Sequence, residues 1–191
     1  MQRKITSILC ALLIASLSAS TAQAGGNVKL QSAPTFNLGS LDVSGVLTGL
    51  GGYSTGVTVQ LDAIGIPVVT CTTPGGNQAP GQNPPKVSAS SQEYIDPQSI
   101  SRKGKAPVAV SAEPASLILP GSQGGCPNDK WTAEIVFVYW TNATLTVTDN
   151  NSGAILLGPL NYTCTTTRTP DDDHGTPGDT MDDGTVSCVP S

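Results

Sequence analysis

Hydrophobic and polar residues alternate with a period of two along much of the chain. Leu41, Val43, Gly45 and Leu47 fall on one side of an extended backbone, with Asp42, Ser44 and Thr48 on the other. Val57, Val59, Leu61 and Ala63 oppose Thr58, Gln60 and Asp62 in the same way, and Ala143, Leu145 and Val147 oppose Thr144, Thr146 and Thr148. Successive side chains of a β-strand point to opposite faces, so each set separates into a core face and a solvent face. No stretch sustains the apolar period of an amphipathic helix. The run Ile135-Val136-Phe137-Val138-Tyr139-Trp140, bounded by Glu134 and Thr141, is apolar on both sides. Such a run is expected only where both faces of a sheet are covered, so it predicts a central strand with Phe137 buried between two sheets. Strict alternation places Ile135, Phe137 and Tyr139 on one face and Val136, Val138 and Trp140 on the other. Ile155-Leu156-Leu157 is a shorter run of the same kind.

Further strands are expected at 87–94, 108–112, 161–165 and 185–189. About eight short strands separated by Gly, Pro and Asn turns predict an all-β fold, an immunoglobulin-like antiparallel β-sandwich stapled by two disulfides. The likeness is one of architecture, since no Trp lies between Cys71 and Cys126, where an immunoglobulin domain would place it. A closed barrel is the alternative. The segment 74–85 is dense in Gly and Pro and is expected to hold neither helix nor central strand. A second loop, 169–184, is acidic and expected to be mobile and replaceable.

The N-terminus reads as a secretory signal. Arg3 and Lys4 precede an apolar stretch from Ile5 to Leu17, and Ala22-Gln23-Ala24 forms a small-residue cleavage site. The apolar stretch is shorter than the roughly 20 residues needed to span a bilayer. The expected organisation is a signal peptide at 1–24 and a single β-sandwich domain at 25–191, containing the acidic loop. Cys10 lacks the small preceding residue of a lipoprotein cysteine, and the C-terminal Cys188-Val189-Pro190-Ser191 is set aside as a prenylation box in an exported chain.

Cleavage leaves Cys71, Cys126, Cys164 and Cys188. An even number of cysteines in an exported chain reads as two disulfides, for which three connectivities exist. Joining Cys71 to Cys126 and Cys164 to Cys188 is the expected one. The second pair lies at strand edges with the acidic loop between its members.

Charge narrows the partners. The net charge is −5, and it becomes −7 once Arg3 and Lys4 are removed. Asp171, Asp172, Asp173, Asp179, Asp182 and Asp183 carry six of those negatives, which leaves the rest close to neutral. Nucleic acid and acidic membranes demand a basic surface, so neither is an expected partner, and no integral membrane segment is expected. Arg102-Lys103-Gly104-Lys105 reads as a solvated loop.

Little in the sequence points to catalysis. A Ser-His-Asp or Cys-His site needs a positioned imidazole, and His174, the one histidine, lies among aspartates and glycines. Glu93, Glu113 and Glu134 are the glutamates available to a paired-carboxylate hydrolase, and nothing marks two of them as facing one cleft. The aspartate-rich loop offers calcium-type oxygen ligands, yet an EF-hand register fails from both Asp171 and Asp179. Asn142, Asn150 and Asn161 open glycosylation-type triplets. Trp131, Tyr139 and Trp140 suggest a sugar-stacking platform, although alternation puts Tyr139 and Trp140 on opposite faces.

Several stretches together resemble a family of small secreted bacterial β-proteins without an assigned activity. They are the segment from Val43 to Gly51, the Cys–Gly–Pro segment from Thr70 to Pro84, Cys126-Pro127-Asn128-Asp129-Lys130-Trp131, the segment from Ala143 to Val147, and the final pair Cys164 and Cys188. The resemblance implies an exported β domain and brings no catalytic residues. The acidic stretch 171–183 departs from it. The function expected from all of this is a non-enzymatic protein, extracellular or periplasmic, that binds a surface polymer, a host protein or itself, without a cofactor. A host-directed effector or elicitor and a carboxylate-based polysaccharide hydrolase are the alternatives.

Overall fold

A computed structural model describes residues 27–38, 40–169 and 183–191. The expected signal peptide, His174 and most of the acidic loop lie outside the described residues. Eleven strands form among those described. In the first sheet, β3 (Leu41–Thr48) is central. Along one side run β1 (Lys29–Leu30) and β2 (Thr35–Asn37), end to end, and along the other runs β7 (Ala106–Ala112).

The second sheet is built on two long antiparallel strands, β4 (Val57–Thr72) and β9 (Thr132–Asp149), paired along their whole length. The flank of β4 carries β6 (Val87–Ile95) and then β5 (Gln78–Pro80). The flank of β9 carries β8 (Ile118–Pro120) and then β10 (Ile155–Arg168), which pairs in turn with β11 (Gly184–Pro190). Pro67 falls between the stretches paired with β6 and β5, where β4 is an edge on that side and a missing donor is tolerated.

Both sheets contribute to one buried cluster. Leu41, Val43 and Leu47 of β3 and Val108 and Val110 of β7 meet Val57, Val59 and Leu61 of β4 and Leu145 and Val147 of β9. These are the alternating positions of the sequence, and the sheets close over them as a β-sandwich. Phe36 of β2 meets Tyr162 of β10 edge-on, with ring centroids 5.1 Å apart. The carboxylate of Glu93 on β6 accepts a hydrogen bond from the Ala109 N–H on β7 at 2.8 Å, which closes one side of the sandwich.

Burial lifts the Tyr162 hydroxyl above its ordinary value of 10.0. The folded state therefore holds the neutral phenol more tightly than the unfolded chain does. Stability from this group is fully present below about pH 10 and is lost as the pH rises through the raised folded-state value. Melting temperatures of wild type and Tyr162→Phe, followed upward from pH 8, should diverge above pH 10, with wild type falling more steeply. Parallel curves would remove Tyr162 as the source.

The apolar run 135–140 corrects one expectation. Register shifts between Ile64 and Gly65 and between Val68 and Val69 skip Thr141 and Val136 of β9 in the residue-to-residue register with β4, and the Thr141 hydroxyl bonds Ile64 O at 3.1 Å. Each is a β-bulge, and each reverses the alternation beyond it. As a result Ile135, Val138 and Trp140 share the core face, while Phe137 and Tyr139 turn to the opposite one. Phe137 is fully buried, as expected, but it lies outside the inter-sheet cluster. Trp140 takes the central place, opposite Gly65. A side chain at Gly65 would put its Cβ 2.3 Å from Val138 Cγ1 and 3.1 Å from Trp140 Cε3, so the packing of Trp140 requires glycine there.

Candidate functional site

The far ends of β4 and β9 extend beyond the first sheet, and two irregular segments cover them. One is the Gly- and Pro-rich segment after β4. Thr73 turns the chain, accepting from Gly76 N–H at 2.9 Å and, through its hydroxyl, from Asn77 N–H at 3.0 Å. The chain returns as β5 along 70–72, an edge strand in which proline removes no needed donor. Gly81 N–H then bonds Val69 O at 2.7 Å.

The other segment follows β8. A 3-10 turn at Gly121–Gly124 seats Gly124 against Val69 and Ala133, and Cys126 N–H bonds Gly121 O at 2.8 Å. A second turn runs from Asn128 to Trp131, closed by Trp131 N–H to Asn128 O at 3.2 Å. Asp129 accepts from the Ser122 N–H and hydroxyl, which joins the two turns.

Two links hold the second segment in place, one to β4 and one to the first segment. Cys71 at the end of β4 is disulfide-bonded to Cys126, and Gln82 N–H bonds Gly125 O at 2.9 Å. Gly125 has φ +77, and a Cβ there would stand 2.4 Å from Gln82 O, so the close approach of the two backbones requires glycine. Between the segments lies a groove of about 450 Å³. Pro80, Gln82 and Asn83 line one side, and Pro127 and Trp131 the other. Trp131 is half-buried, whereas the four other side chains are exposed. None of the lining residues is charged.

The expected aromatic platform is thus divided. Trp140 is 1% exposed in the core, Tyr139 lies edge-on to Phe137 on the outer sheet face, and Trp131 alone of the three lines the groove. A second cavity, of about 310 Å³, is lined by Tyr53, Ile100 and Arg102 at the start of the basic loop. In that loop Lys105 Nζ bonds Gln31 Oε1 at 3.0 Å, and Arg102 and Lys103 are exposed.

Both disulfides form as expected, Cys71–Cys126 and Cys164–Cys188. Neither crosses between the sheets as an immunoglobulin bridge does. The first ties the covering segment to β4, and the second joins paired positions of β10 and β11.

Glu93 stands apart from the other glutamates. It pairs with Val59 and Glu134 with Thr70, eleven positions along β4, or about 35 Å at the strand rise. Glu113 lies four residues beyond the Ala109 that Glu93 binds, about 13 Å along the strand. The Glu93–Glu134 separation far exceeds the roughly 5–9.5 Å of a carboxylate pair in glycoside hydrolysis. Several aspartates hold backbone or ladder positions instead. Asp62 accepts from Gln60 and Ser90, and Asp149 from the Asn151 and Ser152 N–H groups. Among the described residues no group of three or more His, Cys, Asp or Glu side chains is placed to hold a metal ion. Asn142, Asn150, Asn151 and Asn161 are all exposed, with Asn150 and Asn161 accepting from the Thr58 and Thr144 hydroxyls.

No protein-family model, curated protein or solved structure matches the chain. Among the described residues no helix is long and apolar enough to cross a membrane.

Proposed function

We propose that this is a secreted, non-enzymatic extracellular protein that binds a surface polymer, a host protein or a copy of itself, and that the Trp131 groove is its binding site. The observation that carries this reading is the groove itself. A half-buried tryptophan and two carboxamides line a concavity whose walls are joined by the Gln82–Gly125 backbone bond, with Cys126 of one wall anchored to β4 through its disulfide to Cys71. An aromatic with a few polar groups in a preformed hollow of this size is the usual composition of a ligand site. Walls fixed before binding reduce the ordering cost of association. Export is supported by the signal-like N-terminus and by the two disulfides, which persist in oxidising compartments. The sequence resemblance to secreted bacterial β-proteins points the same way.

The test is retention of the purified mature protein on native cell envelope. Trp131→Ala should weaken retention about tenfold, as expected for a tryptophan at the centre of a binding site. Arg102→Ala, in the second cavity, should leave it unchanged. Equal retention of wild type and Trp131→Ala would take the groove out of the binding site.

A further inference from the structure

The chemistry of the groove points to an uncharged polysaccharide as its ligand, with one sugar ring stacked on Trp131 and its hydroxyls bonded by Gln82 and Asn83. This inference rests on the groove being the binding site, and it names the ligand class.

The lining selects by what it contains. A carboxamide both donates and accepts hydrogen bonds, and so does a sugar hydroxyl. Gln82 and Asn83 are adjacent and exposed on the groove wall, and neither side chain forms a hydrogen bond within the described protein. The apolar C–H face of a pyranose ring matches an indole face, and Trp131 lies across the groove from the amides. Pro80 and Pro127 add rigid apolar surface at the two sides.

The charge balance separates glycan classes. Recognition of uronate, sulfate or phosphate calls for Arg or Lys at the site. The groove lining has neither, and Asp129 beside it is held by Ser122. The chain as a whole carries a net charge of −5, which repels polyanions. A neutral polymer incurs neither penalty.

A proline-rich peptide is the nearest rival. Peptides in the polyproline conformation dock into grooves built from several aromatic ridges. Trp131 is the one aromatic in this lining, and the carboxamides opposite suit a ligand with many hydroxyls better than one with few donors.

The geometry is fixed in advance. Asn83 holds a left-handed backbone, φ +48. Asparagine tolerates this conformation better than most residues. Asn83→Gly therefore removes the amide without adding strain, and Gln82→Ala changes an exposed side chain. The double variant tests binding with the fold preserved.

The chain has two tryptophans, and Trp140 is sealed in the core, so a ligand-induced emission change reports Trp131. Cellohexaose, chitohexaose and xylohexaose are titrated into the mature protein, beside oligogalacturonate and a proline-rich decapeptide. At least one neutral hexasaccharide should give a saturable change. The Gln82→Ala/Asn83→Gly variant should bind it about tenfold more weakly, the loss expected for two hydrogen bonds. Calorimetry should show the same or a greater loss for Trp131→Ala. No response to any neutral hexasaccharide overturns the inference, and so does equal affinity in the double variant. Saturable binding of the decapeptide or of oligogalacturonate alone overturns the assignment of an uncharged polysaccharide and leaves the groove as a binding site. Envelope retention indifferent to Trp131 overturns both.

Discussion

Phe137→Ala is expected to destabilise the fold by about 3–5 kcal/mol, the range for a buried aromatic cut back to alanine. For a domain of this size that corresponds to a fall in melting temperature on the order of 10 °C. Phe137 has no exposed surface. Its ring meets Tyr139 edge-on at 5.0 Å, and the Arg168 guanidinium lies over it, 5.3 Å from the centroid. Phe137 sits outside the inter-sheet cluster, so the loss falls on the outer face of the β4–β9 ladder. Removing the ring opens a cavity and takes away the surface on which Arg168 rests. Phe137→Leu keeps most of the apolar volume and forfeits the ring contacts, and should cost about 1 kcal/mol by aromatic and cation–π magnitudes. Thermal melts of the two variants beside wild type decide the matter. An alanine variant melting within a degree or two of wild type would mean that Phe137 is not held by packing.

The facing of Phe137 also marks where sequence reading reached its limit. Alternation identified the core faces of β3, the first half of β4 and the second half of β9, because polar residues there label the solvent side. In 135–140 no polar residue labels either side. A bulge at Val136 leaves no trace in an unbroken apolar run, yet it reverses the facing of the residues between it and the second bulge at Thr141. The same run and its neighbours fuse into strands longer than expected, since β4 and β9 support each other over their full length. The disulfide pairing was legible because chain order and strand edges favour it. The groove was legible only in parts. Trp131 stood out as an aromatic, and the 74–85 segment as a long loop. Their meeting depends on the register that sets Cys71 opposite Ala133, a contact between residues far apart in sequence. The one signal available in advance was the expected Cys71–Cys126 bond, which ties the residue just before the loop to a residue five positions before Trp131.

That bond should matter twice. Replacing Cys71 and Cys126 together by Ser should cost about 4 kcal/mol, the chain-entropy value for a closed loop of 55 residues. The Cys164–Cys188 loop of 24 residues gives about 3.5 kcal/mol on the same basis. The local consequences differ more than these figures do. Cys164 and Cys188 lie within a ladder of seven paired positions between β10 and β11, and the backbone bonds keep those strands together without the bridge. Cys126 lies in a segment held to its surroundings by few backbone bonds, from Cys126 N–H to Gly121 O and from Gln82 N–H to Gly125 O. Loss of Cys71–Cys126 frees the Trp131 side of the groove to move against the Gln82 side, and ordering it again must then come out of the binding energy. Denaturant titration should show both double variants destabilised. Envelope retention at a temperature where both remain folded should fall for Cys71→Ser/Cys126→Ser and hold for Cys164→Ser/Cys188→Ser. Equal retention in the two would show that the groove keeps its shape without the bridge, and that Cys71–Cys126 serves stability alone.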